Sequence, residues 1–103
     1  FAERVNNAFQ LRRGFEIKKK HKILIIEDVI TTGKSSLECS VIAEKQGAKI
    51  IGFASLIDRS SGKSKIDKKI VSQIEIEIPT FSKENIPEHL KQLKATKPGS
   101  RNL

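Results

Sequence analysis

The chain predicts an α/β fold in which a parallel central sheet is flanked by helices, and three observations predict it. Ile23 to Ile26 is a run of four branched aliphatic residues bounded by charge. Ile50, Ile51, Phe53, Ala54, Leu56 and Ile57 form a second, nearly continuous apolar run. Such runs suit strands covered on both faces, as in a parallel sheet. Between them lies a helical stretch from about Ser36 to Gln46, which supplies the crossover that two parallel strands require.

Taken in order, Phe9 to Ile17 suggests an extended segment or a hairpin. Ile23 to Glu27 is expected as a strand, Ser36 to Gln46 as a helix, and Lys49 to Ile57 as a second strand. Gly47 stands where a helix ends in a left-handed residue. This strand, helix, strand unit is expected to be parallel and right-handed. From Ile74 to Ile78 isoleucines alternate with glutamates, which describes a half-exposed edge strand ended by Pro79. Glu75 and Glu77 then belong to a solvated face. Pro87 to Lys94 suggests a short helix, and the tail after Lys97 is expected to be irregular. No internal repeat and no linker divides residues 1–103, which read as a single domain.

Composition narrows the classes. With 103 residues, 37% of them hydrophobic, the chain supplies one modest core. No apolar run approaches the roughly 20 residues that cross a bilayer, and no basic-then-apolar signal opens the sequence, so no membrane partner and a cytoplasmic location are expected. Cys39 is the single cysteine. It excludes an intramolecular disulfide and a cysteine-rich metal site, and its apolar surroundings suggest core packing. The net charge of +8 raises the question of nucleic acid. Lys18, Lys19, Lys20, His21 and Lys22 are the densest cluster, yet there is no helix-turn-helix or zinc-finger spacing and no tyrosine or tryptophan to stack on bases. The expectation is a solvated loop and no nucleic-acid partner, with a positive field that recruits a small polyanion.

The chemistry concentrates between Ile23 and Ser35. Glu27 and Asp28 stand at the carboxyl end of the first strand, where α/β sheets place their ligands. Val29, Ile30, Thr31, Thr32, Gly33, Lys34 and Ser35 follow and lead into the helix. A helix start offers free backbone N–H groups to a phosphate, Gly33 permits close backbone approach, and the hydroxyls donate further hydrogen bonds. Carboxylates beside a phosphate would repel it, so sugar hydroxyls, with or without a nearby divalent cation, are their natural partners. The plain alternative is two acids ending a strand and Thr32 or Ser35 capping a helix. Neither two adjacent acids nor a second hydroxyl position is needed for capping. Gly33-Lys34-Ser35 is not a P-loop ending, because Asp28 occupies the position five before Gly33 where a glycine is required, and Ser61-Gly62-Lys63-Ser64 fails likewise at Ile57.

Ile23 to Ser35 resembles the phosphoribosyl pyrophosphate signature of the type I phosphoribosyltransferases, in which aliphatic residues precede two acids and a Thr-Thr-Gly turn. Phe1-Ala2-Glu3-Arg4, Leu11 to Ile17, Leu56 to Gly62 and Lys97 to Arg101 resemble, in order and spacing, a bacterial orotate-using branch of that family. Agreement is weakest between Ile66 and Ala95. The resemblance implies a Rossmann-like type I phosphoribosyltransferase fold, incomplete here at its amino-terminal side. The chain begins at Phe1 and contains no methionine, so it is expected to be the carboxyl-terminal part of one catalytic domain, with early strands and a hood upstream.

The implied activity is phosphoribosyl transfer from phosphoribosyl pyrophosphate to orotate, with Mg²⁺ as cofactor and a homodimer as the assembly. The implied sugar-phosphate site is Glu27 to Ser35, and Thr31 and Arg59 would face orotate. Arg4, Arg12 and Arg13 are the candidates for a basic loop that closes on pyrophosphate. No direct metal ligand is assigned. Transfer to a purine or another base, a non-catalytic regulator that senses the sugar phosphate, and an inert remnant of a transferase domain are the competing readings.

Overall fold

The computed structural model describes residues 1–96. The chain opens with a hairpin of β1 (Ala2–Val5) and β2 (Ala8–Leu11), paired antiparallel from Ala2 opposite Leu11 to Val5 opposite Ala8. Asn6 and Asn7 turn it with φ of 48° and 63°. Two left-handed residues in succession match the right-handed twist of the flanking strands, and asparagine tolerates that conformation. The hairpin therefore lies earlier than the stretch 9–17 expected from the sequence. Arg13 and Gly14, with φ of 58° and 72°, turn the chain away from strand geometry after β2.

Three strands form the main sheet: β3 (Lys22–Ile30), β4 (Lys49–Asp58) and β5 (Ile70–Glu75), in that spatial order and all parallel. Helix α1 (Lys34–Lys45) connects β3 to β4. Ile23 pairs with Ile50, but Leu24 pairs with Gly52, so β4 spends one extra residue at Ile51. Beyond that irregularity Ile25 lies opposite Phe53, Glu27 opposite Ser55 and Ile30 opposite Asp58. Gly47 ends the helix region with φ of 84°, its N–H donating to the Glu44 carbonyl at 2.9 Å.

Two expectations are corrected. The last strand spans Ile70–Glu75, so Ile76 to Ile78 lie beyond it; the Ile76 N–H still donates to the Asp58 carbonyl at 2.9 Å. Parallel pairing of Ile70 with Phe53 and Val71 with Ala54 selected the earlier start. The expected helix from Pro87 to Lys94 is the single turn α2 (Glu88–Lys91), preceded by a short 3-10 turn at Lys83–Asn85. The stretch 97–101 singled out in the sequence lies outside the described residues.

Alternation along most of β3 and β4 separates two faces, interrupted by the extra residue at Ile51 and by the consecutive Val29 and Ile30. Ile30, Ala43, Ile50, Phe53 and Ile66 form the buried core on the α1 side, with Ile17, Ile23, Ile25, Leu37, Ala48 and Ile70 packed against it. Leu24, Ile26, Ile51, Leu56 and Val71 are exposed, Ile26 at 71%. Strands that read as covered on both faces are thus covered on one face among the described residues. No described helix is long and apolar enough to cross a membrane.

Candidate functional site

The loop between β3 and α1 is shaped by Gly33. Its φ of 77° is left-handed, and a Cβ there would meet Ile66 Cγ1 at 2.8 Å, so both conformation and space require glycine. Gly33 occupies the N-cap position with no side-chain cap, and the Leu37 N–H returns to its carbonyl at 3.0 Å. The capping alternative for Ser35 is therefore not what the structure shows. Thr32 Oγ1 accepts the N–H of Lys34, the first residue of α1, at 3.3 Å, so of the two capping candidates Thr32 does reach the helix start. The Lys65 N–H donates to the Thr32 carbonyl at 2.8 Å and holds the β4–β5 loop over this turn. Helix α1 begins two residues earlier than the sequence suggested, at Lys34, which brings Lys34, Ser35 and Ser36 into its first turn.

The result is a hollow of about 110 Å³ lined by Glu27 and by residues 29–36. The first turn of a helix leaves N–H groups without intrahelical partners and carries the positive end of the helix dipole, which suits an anion beside it. Ile30 contributes from the core, being 2% exposed, with its carbonyl accepting the Arg59 N–H at 2.8 Å. Lys34 projects outward, its Nζ 4.0 Å from Glu38.

The two acids part company. Along β3 partial burial falls on Ile23, Ile25 and Glu27 and exposure on Leu24, Ile26 and Asp28, so the two acids project to opposite faces; the alternation then breaks at the exposed Val29 and buried Ile30. Glu27 turns toward α1 and accepts a hydrogen bond from Ser36 Oγ at 3.1 Å. Asp28 accepts the N–H of Val29 on Oδ1 at 2.8 Å. Both acids border a larger groove of about 500 Å³ under the hairpin, where Phe1, Phe9, Ile25 and Ile42 supply apolar walls. Glu27 is the acid shared by the groove and the loop hollow. Cys39, one turn along α1 from Ser36, shares that groove; burial raises its thiol pKa, and the negative charges of Glu27 and Glu38 raise it further.

The basic candidates sit apart from the hollow. Arg4 bonds Glu38 at 2.6 Å, donates to the Asn7 carbonyl at 3.0 Å and stacks 4.5 Å from the Phe9 ring. Arg12 pairs with Glu3 at 2.9 Å, and Arg13 lies 4.4 Å from the Phe1 ring. Arg59 follows β4, and its Nε is buried without a hydrogen-bond partner. Beside it, Asp58 accepts the Ser60 N–H at 2.7 Å. A separate hollow of about 300 Å³ is bordered by Asp58, Glu75 and Glu77 and is unsuited to an anion. Sequence reasoning did not single out Ser36, Lys65 or Ile66. Ser36 sits nine positions from Glu27 and had no local signal beyond its place next to Ser35; the other two reach the loop only through the tertiary fold.

The chain is 44% identical over its whole length to the orotate phosphoribosyltransferase of Parvibaculum lavamentivorans, and 41% identical to that of Maricaulis maris, covering 53% of each. The orotate phosphoribosyltransferase of Caldanaerobacter subterraneus is 41% identical, with 54% covered. The chain thus spans about half the length of the curated relatives it matches. Among solved structures, the adenine phosphoribosyltransferases of Leishmania tarentolae and Leishmania donovani superpose with a TM-score of 0.51 at 19% and 23% identity. Each superposition covers 65% of this chain, and 36% and 33% of theirs, so it speaks to the fold alone. The profile of the phosphoribosyl transferase domain matches residues 2–93, a span that holds the hairpin, the sheet and the glycine-centred loop, and the chain belongs to that family.

Proposed function

We propose that the chain is the part of an orotate phosphoribosyltransferase that binds the phosphoribosyl group, in a protein that makes orotidine 5′-monophosphate and pyrophosphate from orotate and phosphoribosyl pyrophosphate. The observation that carries this reading is the hollow at the end of β3, where the start of a helix, a left-handed Gly33 and a carboxylate meet. The names of the relatives support the base, and the loop supports the sugar phosphate.

In the reaction the bond from the anomeric carbon to pyrophosphate breaks, and a ring nitrogen of orotate forms the new bond. Positive charge develops on the ribose and negative charge on the leaving group. Residues Thr31 to Ser35 anchor the 5′-phosphate and so fix the reacting carbon. Glu27 accepts a ribose hydroxyl, and its charge stabilises the developing cation. Asp28 takes a ribose hydroxyl only from the groove side of the strand. Thr31 and Arg59 face orotate; a guanidinium pairs with its carboxylate through two parallel hydrogen bonds, and the unpartnered Nε of Arg59 supports that role. One of Arg4, Arg12 and Arg13 reaches pyrophosphate after leaving its present partner.

Mg²⁺ fits this donor set in a limited way. Among the described residues no group of three or more acidic, histidine or cysteine side chains converges on one point. The ion commonly binds through one or two carboxylates plus substrate phosphates, which Glu27 or Asp28 can complete. When bound it supplies charge neutralisation for the departing pyrophosphate. A homodimer and a cytoplasmic setting belong to the same proposal.

The deciding experiment is Mg²⁺-dependent pyrophosphate release from phosphoribosyl pyrophosphate, comparing orotate with uracil, adenine and hypoxanthine. Turnover with orotate alone is expected from the protein that carries this chain. Preference for a purine would keep the sugar-phosphate site and reject the base assignment; binding of the sugar phosphate without turnover would favour a regulator.

A further inference from the structure

We propose that Ser36 is a positioning residue for Glu27: its hydroxyl holds the carboxylate at the wall between the phosphate hollow and the groove, and thereby sets how the site distinguishes ribose from deoxyribose. The inference rests on the sugar-phosphate reading above and adds a residue that the signature stretch from Glu27 to Ser35 does not contain.

Three observations carry it. Ser36 is 1% exposed, and its Oγ donates to Glu27 Oε1 at 3.1 Å, so a buried hydroxyl is committed to one carboxylate oxygen. That commitment leaves Oε2 and the remaining lone pairs of Oε1 for a ligand. Glu27 has no cationic partner among the described residues, and α1 carries no acidic side chain in its own first turn, so the Glu27 carboxylate is the acid set beside that helix start. Finally, Glu27 lines both cavities, so a sugar joined to a phosphate in the hollow lies beside its carboxylate.

A glutamate free to rotate would lose rotamer entropy each time it met a hydroxyl. Held by Ser36, it meets the sugar already oriented, and the hydroxyl that it accepts gains most from that orientation. The phosphate gains nothing, because the backbone of residues 31–35 holds it. Ser36 therefore acts on sugar recognition and leaves anion binding alone. Ser55, opposite Glu27 in the β3–β4 register and also buried, has an unpartnered hydroxyl, so the bond from Ser36 is the one that holds Glu27 in this structure.

The test is calorimetric titration of the protein that carries this chain, and of its variants, with ribose 5-phosphate, 2-deoxyribose 5-phosphate and inorganic phosphate. Ser36→Ala is expected to weaken ribose 5-phosphate binding about tenfold, to narrow its advantage over the deoxy sugar, and to leave inorganic phosphate unchanged. Ser36→Thr keeps a hydroxyl and should restore most of the difference. In a Glu27→Gln background, Ser36→Ala should cost less than in the parent. Equal weakening of all three probes would mean that Ser36 only supports the loop, and unchanged ribose binding would mean that Glu27 needs no holder; either overturns the proposal while the sugar-phosphate site stands. A folded parent protein that binds inorganic phosphate but gains nothing from the ribose would overturn the sugar-phosphate reading itself. Should Ser36→Ala fail to fold, Ser36→Cys decides, because a thiol is a weak donor: loss of ribose selectivity with phosphate binding kept supports the role, and unchanged selectivity removes it.

Discussion

At the scale of single residues, the loop that makes the hollow has almost no tolerance at Gly33. A left-handed φ penalises any side chain by about 1 kcal/mol or more, and here the added carbon also meets Ile66 at 2.8 Å. Gly33→Ala should therefore cost about 1–3 kcal/mol in chemical denaturation and abolish phosphate binding together, because one turn serves both. A variant that binds phosphate normally would show that the loop is not the anion site. Arg59→Ala separates base from sugar: the Michaelis constant for orotate should rise roughly 10- to 100-fold, the range of a charged hydrogen bond, while that for phosphoribosyl pyrophosphate holds. Parallel increases in both would place Arg59 outside the orotate pocket. Cys39 titrates above the ordinary thiol range because it is partly buried and faces Glu27 and Glu38. Its neutral form is thus favoured by the fold, a contribution present below the ordinary thiol pKa and lost as the pH rises through the raised value. Maleimide should modify Cys39 more slowly than free cysteine at pH 8, and a faster reaction would contradict the burial.

At the scale of elements, the strand, helix and strand around the signature were legible because their signals are local. Aliphatic runs marked β3 and β4, and a glycine marked the end of α1. What was not legible depends on partners distant in sequence. β5 begins at Ile70 because Ile70 and Val71 meet Phe53 and Ala54, which the isoleucine–glutamate alternation farther along cannot express. The separation of Glu27 from Asp28 followed from strand geometry, yet only once β3 was known to run past both. The hairpin was displaced because Asn6-Asn7 is a weaker turn signal than a glycine pair, although both residues take the left-handed conformation. That hairpin is tied to α1 by Arg4 and Glu38 at 2.6 Å, each side chain about one-third exposed. Solvent screens such a pair, which leaves it worth no more than about 0.2–1 kcal/mol. Glu38→Gln should barely move the melting temperature but should speed hydrogen exchange at the amides of β1 and β2, since local opening costs less than global unfolding. Unchanged exchange would mean that the Phe9 stacking and the groove contacts hold the hairpin without the ion pair.

At the scale of the whole molecule, two long-range properties oppose one another. A net charge of +8 on 103 residues repels copies of the chain from each other. One face of the sheet meanwhile presents Leu24, Ile26, Ile51, Leu56 and Val71 to solvent, and a contiguous apolar surface of that kind drives association. Salt decides between them, because the screening length falls from about 30 Å at 0.01 M to about 3 Å at 1 M while apolar attraction persists. Light scattering should accordingly rise with ionic strength for this chain. Ile26→Gln removes the most exposed of these side chains without altering charge, so it should suppress that rise and leave stability within about 0.5 kcal/mol. Phe53→Ala, on the covered face at 3% exposure, should instead cost about 3–5 kcal/mol. The two substitutions together locate the core independently of any activity. If Ile26→Gln unfolded the chain while Phe53→Ala left it intact, the faces would be assigned the wrong way round, and Glu27, which shares the inward face with Ile25, would point away from α1 and from Ser36.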